Sequence, residues 1–173
     1  YEGLKWMTEE ELFSVPGLQA VTVETPNDDL VPTSLRCMER NLAMHMDKPA
    51  GYDLVRYDTL LRGCESRGIP FQIGYMFRNN PAFQFSLETV RKGWLGDIFE
   101  VQANMSHNYG GEAYQHYLGR LQGGILFNLG CHLIDFIVAL LGKPEKATPF
   151  LKSTPGLPDS IKNNGLAILE YPH

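Results

Sequence analysis

Cysteine is scarce, no sign of charge dominates, and no apolar run is long. The 173 residues hold three cysteines, Cys37, Cys64 and Cys131, set far apart, without the close spacing of a thiolate metal site or the density of a disulfide framework. They read as buried thiols in a reducing compartment, so the expected location is cytoplasmic. Lys and Arg number 15 against 20 Asp and Glu, for a formal net charge of -5. That balance disfavours indiscriminate attraction to phosphate backbones and anionic lipid, so neither nucleic acid nor membrane is an expected partner. The longest apolar run, from Phe136 to Leu141, falls far short of the roughly 20 residues that span a bilayer. No basic stretch followed by an apolar signal opens the chain. What remains is 43% hydrophobic and 20% charged, with 17 glycines and 11 prolines. This is the composition of a folded protein that needs no disulfide or metal staple.

The order of elements is informative. Thr8 precedes Glu11 by three residues, which predicts a capped short helix. Leu18 to Glu24 reads as a strand ending at Thr25-Pro26-Asn27, and a helix follows from Asp28 to Arg40. Ala43-Met44-His45-Met46 is a second strand, ending at Asp47-Lys48-Pro49. A helix from Tyr52 to Arg67, with Leu54, Tyr57, Leu61 and Cys64 on its apolar face, leads to a third strand at 70–75. Strands alternating with helices predict parallel β-α units. After Pro81 the character changes: a helix to about Lys92, an alternating strand from Ile98 to Met105, then a polar, aromatic segment, 106–121, with no convincing period. Gly123 to Leu141 reads as one long buried helix closed by Gly142. Lys146 to Leu151 and Gly165 to Tyr171 read as strands. The expected class is therefore α/β, a partial Rossmann-like parallel sheet followed by part of an α+β domain with a mostly antiparallel sheet. The expected domains are residues 1–75 and 76–173.

Three clusters carry possible chemistry. Open α/β sheets bind ligands at the carboxyl ends of their parallel strands, where Thr25-Pro26-Asn27 and Asp47-Lys48-Pro49 would lie side by side. Singly, these are ordinary turn residues and a surface ion pair. Asn128, His132 and Asp135 follow one another at spacings of four and three, one face of a helix. Polar groups in so apolar a helix need partners, and Asp135 either orients the His132 imidazole or simply satisfies it in a buried polar network. A metal at His132 and Asp135 would need a third ligand, such as His107 or His116, and the spacing demands none. The run Gly74-Tyr75-Met76-Phe77-Arg78-Asn79-Asn80-Pro81 is either functional or a rigid linker. His45 is read as a strand residue and His173 as part of a frayed end.

These clusters, in this order, resemble the glucose-fructose oxidoreductase and inositol dehydrogenase family, Gfo/Idh/MocA. An apolar strand ending in Thr25-Pro26-Asn27 matches the family pattern, and Asp47-Lys48-Pro49 is similar to its Glu-Lys-Pro motif. The stretch Ile73 to Arg78 resembles its interdomain strand, followed by Lys92-Gly93-Trp94-Leu95-Gly96-Asp97-Ile98. The Gly-Gly-x-x-x-Asp-x-Gly-x-His-x-x-Asp pattern is met by Gly123, Gly124, Gly130, His132 and Asp135, with Asn128 at the first Asp. The resemblance implies a dehydrogenase using NAD or NADP that transfers a hydride from the CH–OH group of a sugar or polyol. It further implies Lys48 as the lysine near nicotinamide and substrate, His132 as general base, and Thr25, Pro26, Asn27 and Asp47 along the cofactor crevice. Asn128, Asp135 and Arg78 become the substrate-side residues.

The family's Gly-x-Gly-x-x-Gly turn for the cofactor pyrophosphate is not in these residues, and the resemblance places it in about 50 residues expected before Tyr1, with further strands expected after His173. Free sheet edges predict a homo-oligomer. Asparagine at 128 binds a sugar hydroxyl but accepts no proton at neutral pH, which sustains a rival reading: a non-catalytic sugar-binding or assembly protein derived from the same fold. A metal-dependent hydrolase using His132 is the third reading.

Overall fold

The computed structural model describes residues 3–107 and 111–172. The expectation for His173 falls outside them, as does Tyr109 of the aromatic segment. The chain forms two compact units, Tyr1–Gly74 and Tyr75–His173.

In the first unit, helix α1 (Glu9–Phe13) starts at Thr8 with a complete capping box. Glu11 N donates to Thr8 Oγ1 at 3.2 Å, and Thr8 N donates to Glu11 Oε2 at 2.7 Å, which satisfies two amides at the helix start. Strands β1 (Ala20–Val23), β2 (Ala43–Met46) and β3 (Phe71–Ile73) form a parallel sheet in the order β1-β2-β3, connected through α2 (Leu30–Glu39) and α3 (Leu54–Arg67). Val23 pairs with Met46, and Met46 with Ile73. The core holds Leu30, Val31, Cys37 and Met38 from α2, Met44 and Met46 from β2, and Leu60 and Cys64 from α3. Burial pushes the Cys37 and Cys64 thiols above the usual range. The buried face of α3 differs from the expected one. Leu60 and Cys64 are its buried residues, with Tyr57 packed beside them, whereas Leu54 and Leu61 face outward. Tyr57 and Cys64 keep their expected side, and Leu60 takes the place of its neighbour Leu61 because packing against α2 chooses between the two adjacent leucines.

In the second unit, a 3-10 turn (Met76–Asn79) precedes α4 (Pro81–Arg91), which is capped by Asn80 Oδ1 accepting from Ala82 N at 2.9 Å. No strand forms over 98–105, contrary to the alternating pattern. Alternation marks one apolar face, but a strand also needs a hydrogen-bonded neighbour, and this segment pairs with none among the described residues; Phe99 is 97% exposed. Conversely, the segment without a period contains helix α5 (Glu112–Leu118). The expected long helix is continuous over 124–141, with a π-helical stretch (Leu126–Gly130) inside it that runs into α6 (Cys131–Leu141). Gly123 lies just before this run, at φ 87°, and Gly124 opens it at φ 49°. A Cβ at Gly124 would run into the carbonyl oxygen of Lys162, whose backbone accepts from Ile125 N at 2.8 Å. Glycine is required there by this close backbone approach. The expected burial of the whole helix is also corrected: in α6 only His132 is fully buried, and its apolar residues are half-buried. Strands β4 (Lys146–Lys152) and β5 (Asn164–Glu170) pair antiparallel along their full length. The architecture is thus mixed α/β, with a parallel three-stranded sheet and a separate antiparallel two-stranded sheet. Among the described residues, no helix is long and apolar enough to cross a membrane.

Candidate active site

Unit one presents its polar turns at the carboxyl edge of the parallel sheet. Asp47 N donates to Val23 O at 3.0 Å and Gly74 N to Met46 O at 2.8 Å, so the ladder continues one step past the strands before each chain turns away. Because β1 and β2 are neighbours, Thr25-Pro26-Asn27 and Asp47-Lys48-Pro49 leave the sheet side by side. Asp29 N closes the first turn on Pro26 O at 2.8 Å, while Thr25 Oγ1 reaches Pro26 O only at 3.5 Å. The Lys48–Pro49 peptide is cis. Pro49 is buried, and Asp47 and Lys48 are half-buried.

Two glycines keep the backbone bare at this edge. A Cβ on Gly51, at φ 79°, would stand 3.2 Å from Asn27 O, and one on Gly74 would stand 3.3 Å from Asp47 Oδ1. Strand ends, adjacent polar turns and backbone without side chains leave this edge open to close approach by a ligand.

Unit two builds its polar cluster on the π stretch and α6. His132 is 3% exposed and Asn128 8%. The imidazole lies against the Phe77 ring, centroids 5.0 Å apart, and meets the Tyr75 ring edge-on at 6.1 Å. Phe77 stacks on Phe83 at 4.7 Å, and Phe83 meets Phe136 of α6 edge-on at 4.6 Å. The 3-10 turn therefore supplies an aromatic wall for the imidazole, and the run beginning at Gly74 is more than a linker within this unit.

Arg78, from the same turn, holds Asp135 through two hydrogen bonds, Nε to Oδ2 at 2.8 Å and Nη2 to Oδ1 at 2.6 Å. Spacing alone had left Asp135 to orient or satisfy His132; both its oxygens instead face Arg78, because a guanidinium fork matches a carboxylate in two places at once. Arg78 also receives the Gln84 side-chain amide on its backbone carbonyl. Asn128 Nδ2 donates to Tyr114 Oη at 2.8 Å.

Tyr114 is the partner of Asn128 that reading the sequence missed. Its signal was present: Gly111 before acidic Glu112, Tyr114 and Leu118 four apart, and Gly119 closing the helix. Of the candidate metal ligands, His116 faces Glu112, Nε2 to Oε1 at 3.5 Å. The described residues contain no group of three or more His, Cys, Asp and Glu able to hold a metal ion.

Residues 83–173 match the family model of the GFO/IDH/MocA C-terminal domain. The chain belongs to the GFO/IDH/MocA family. Among curated members, it is 26% identical over 142 residues to the scyllo-inositol 2-dehydrogenase (NADP(+)) IolW of Bacillus subtilis (strain 168), covering 80% of this chain and 39% of that one. It is 25% identical over 166 residues to the trans-1,2-dihydrobenzene-1,2-diol dehydrogenase of Sus scrofa, covering 94% and 48% respectively. The chain thus spans about half or less of the length of these GFO/IDH/MocA relatives. Its fold is shared with an oxidoreductase from Agrobacterium radiobacter solved in complex with NAD+, L-tartaric acid and magnesium. The TM-score is 0.77 at 20% identity, covering 95% of this chain and 48% of that one.

Proposed function

We propose that the intact protein is an NAD- or NADP-dependent dehydrogenase that oxidises a CH–OH group of a sugar, a polyol or a related compound. The observation that carries the reading is the buried imidazole of His132, set in an aromatic wall within the family's C-terminal domain, on a helix stretch shared with Asn128 and the Arg78-held Asp135. The names of the relatives, a scyllo-inositol 2-dehydrogenase and a dihydrodiol dehydrogenase, support the substrate class.

When bound, the nicotinamide supplies the hydride acceptor. Thr25, Pro26, Asn27 and Asp47 would hold that side of the cofactor. His132 would take the hydroxyl proton on its imidazole, the proton loss that turning C–OH into C=O requires. Imidazole suits this role because its ordinary pKa lies near neutrality. The Lys48 ammonium holds the reacting oxygen and stabilises its developing negative charge. Asn128 contacts a neighbouring hydroxyl, with Asp135 and Arg78 on the same substrate side.

The same proposal includes self-association and a cytoplasmic setting. An apolar patch of Phe150, Leu166 and Ile168, 47–59% exposed, on the two-stranded sheet supports the first. The second is supported by three cysteines that form no disulfide.

The test is nicotinamide reduction by the intact protein across a sugar and polyol panel, with Lys48→Ala and His132→Ala. Loss of the general base is expected to lower kcat by about 100- to 10,000-fold. Robust turnover surviving both substitutions would sink the assignment. Ligand binding by the intact protein without any cofactor reduction would favour the non-catalytic binding protein, the reading to which Asn128 lends weight.

A further inference from the structure

The rings around His132 are fastened to the helix that carries it. The Phe77 ring lies against the imidazole, with centroids 5.0 Å and planes 55° apart. Phe77 is backed by Phe83, nearly parallel to it at 8°, and Phe83 meets Phe136 edge-on. Phe136 stands four residues beyond His132 on α6, so the chain of rings that starts at the imidazole returns to the same helix one turn later. The backbone beneath these rings is held as well. Arg78, next to Phe77, bonds both carboxylate oxygens of Asp135, and Phe83 lies in the first turn of α4, whose start is capped by Asn80.

An imidazole turns about the bond to its ring with little preference of its own, because a torsion between tetrahedral and planar carbon has broad wells. Its neighbours therefore set where its nitrogens point. A stacked ring with its own backing confines that rotation, whereas an aliphatic side chain with rotatable bonds yields to it. A general base needs its nitrogen within hydrogen-bond reach of the proton it removes, and a displacement of about 1 Å costs about 100-fold in rate. We propose that Phe77 is a positioning residue: its ring, backed by Phe83 and Phe136, holds the His132 imidazole in the orientation that takes the substrate hydroxyl proton, without itself touching the substrate. This inference rests on the reading of His132 as general base.

The experiment uses the intact protein with Phe77→Leu, Phe77→Tyr, Phe83→Leu and the double variant Phe77→Leu/Phe83→Leu. It reads kcat and KM for the best substrate of the sugar and polyol panel, at a temperature below the thermal midpoint of each variant. Phe77→Leu is expected to lower kcat about 10- to 100-fold with KM within about twofold, since proton removal is impaired and substrate binding is not. Phe77→Tyr keeps the flat ring and should recover most of that loss. Phe83→Leu removes only the backing and should lower kcat at least about threefold. The double variant should be no slower than about twofold below Phe77→Leu, because both substitutions act on one contact. A rise in KM with kcat unchanged in Phe77→Leu overturns the inference and makes the ring a substrate contact. Phe77→Tyr as slow as Phe77→Leu overturns it too. If Phe77→Leu does not fold, Phe83→Leu decides, and a kcat equal to the parent's overturns the inference. If Phe77→Leu and Phe83→Leu both keep the parent's kcat while His132→Ala abolishes turnover, the inference fails and the dehydrogenase reading stands. Turnover that survives His132→Ala, or a parent that reduces no nicotinamide, overturns both.

Discussion

Arg78 and Asp135 are unequal partners in their ion pair. The aspartate side chain is 11% exposed and the arginine 55%, so removing the arginine strands a nearly buried carboxylate, whereas removing both leaves no charge behind. Arg78→Ala is therefore expected to destabilise the protein by about 1–3 kcal/mol, and Arg78→Ala/Asp135→Ala by less. Denaturant unfolding of both variants checks this; equal losses would mean that the pair is solvated and contributes little. Residues of this kind were legible only in part. Asn128, His132 and Asp135 could be named because polar groups are conspicuous in an apolar helix, and a sequence period places them together. Their partners could not be named, since Arg78 and Tyr114 reach them from elements 57 and 14 residues away in sequence. Only the folded chain makes those contacts.

Elements whose signals are local agreed with expectation. The Thr8 capping box, the three strands separated by two helices and the close of α6 before Gly142 each depend on a few adjacent residues. Elements whose signals are tertiary did not: the 98–105 segment has the alternation of a strand but no partner, and α5 is too short and polar for a period to show. The Gly123–Leu141 stretch hides its π-helical turn because an apolar run with helical spacing does not distinguish one turn with i→i+5 bonds from its α-helical neighbours.

One contact between elements also sets a pH dependence. Arg36 on α2 donates to both carboxylate oxygens of Glu9 on α1, at 2.6 and 2.8 Å. Those hydrogen bonds hold the Glu9 carboxyl below its ordinary value, against a smaller opposing effect of burial. A depressed carboxyl stabilises the fold at pH values above its unfolded-state pKa, and the contribution disappears as pH falls through the lowered folded-state value. Both side chains are about 40% exposed, so solvent screening keeps the effect below about 1 kcal/mol. Glu9→Gln should thus be slightly less stable than the parent at neutral pH and indistinguishable from it in strong acid. A difference that persists or grows in acid would contradict the sign.

At the scale of the molecule, membership of the GFO/IDH/MocA family rests on residues 83–173, and the fold is shared along nearly the whole chain. The exposed patch on the two-stranded sheet makes a further expectation concrete. Leu166, 59% exposed and paired with Phe150 across the strands, is a position where a charge should weaken self-association without disturbing a core. Sedimentation of the intact protein should show Leu166→Lys shifted toward a smaller species. An unchanged distribution would remove this patch from the interface. The fold class was readable because a parallel sheet declares itself through repeated strand-helix units. The two-stranded sheet could be read only as separate strands, since their pairing spans an irregular connection.

The central claim is that His132 takes a proton while hydride leaves the same carbon of a sugar or polyol. Its most direct test is deuterium transfer from the carbinol carbon of a labelled substrate to the nicotinamide, followed in the intact protein and in His132→Ala. The account predicts label on the reduced nicotinamide in the parent and a loss of about 100-fold or more in the variant. Label transferred equally fast by both, or reduction without label, would contradict it.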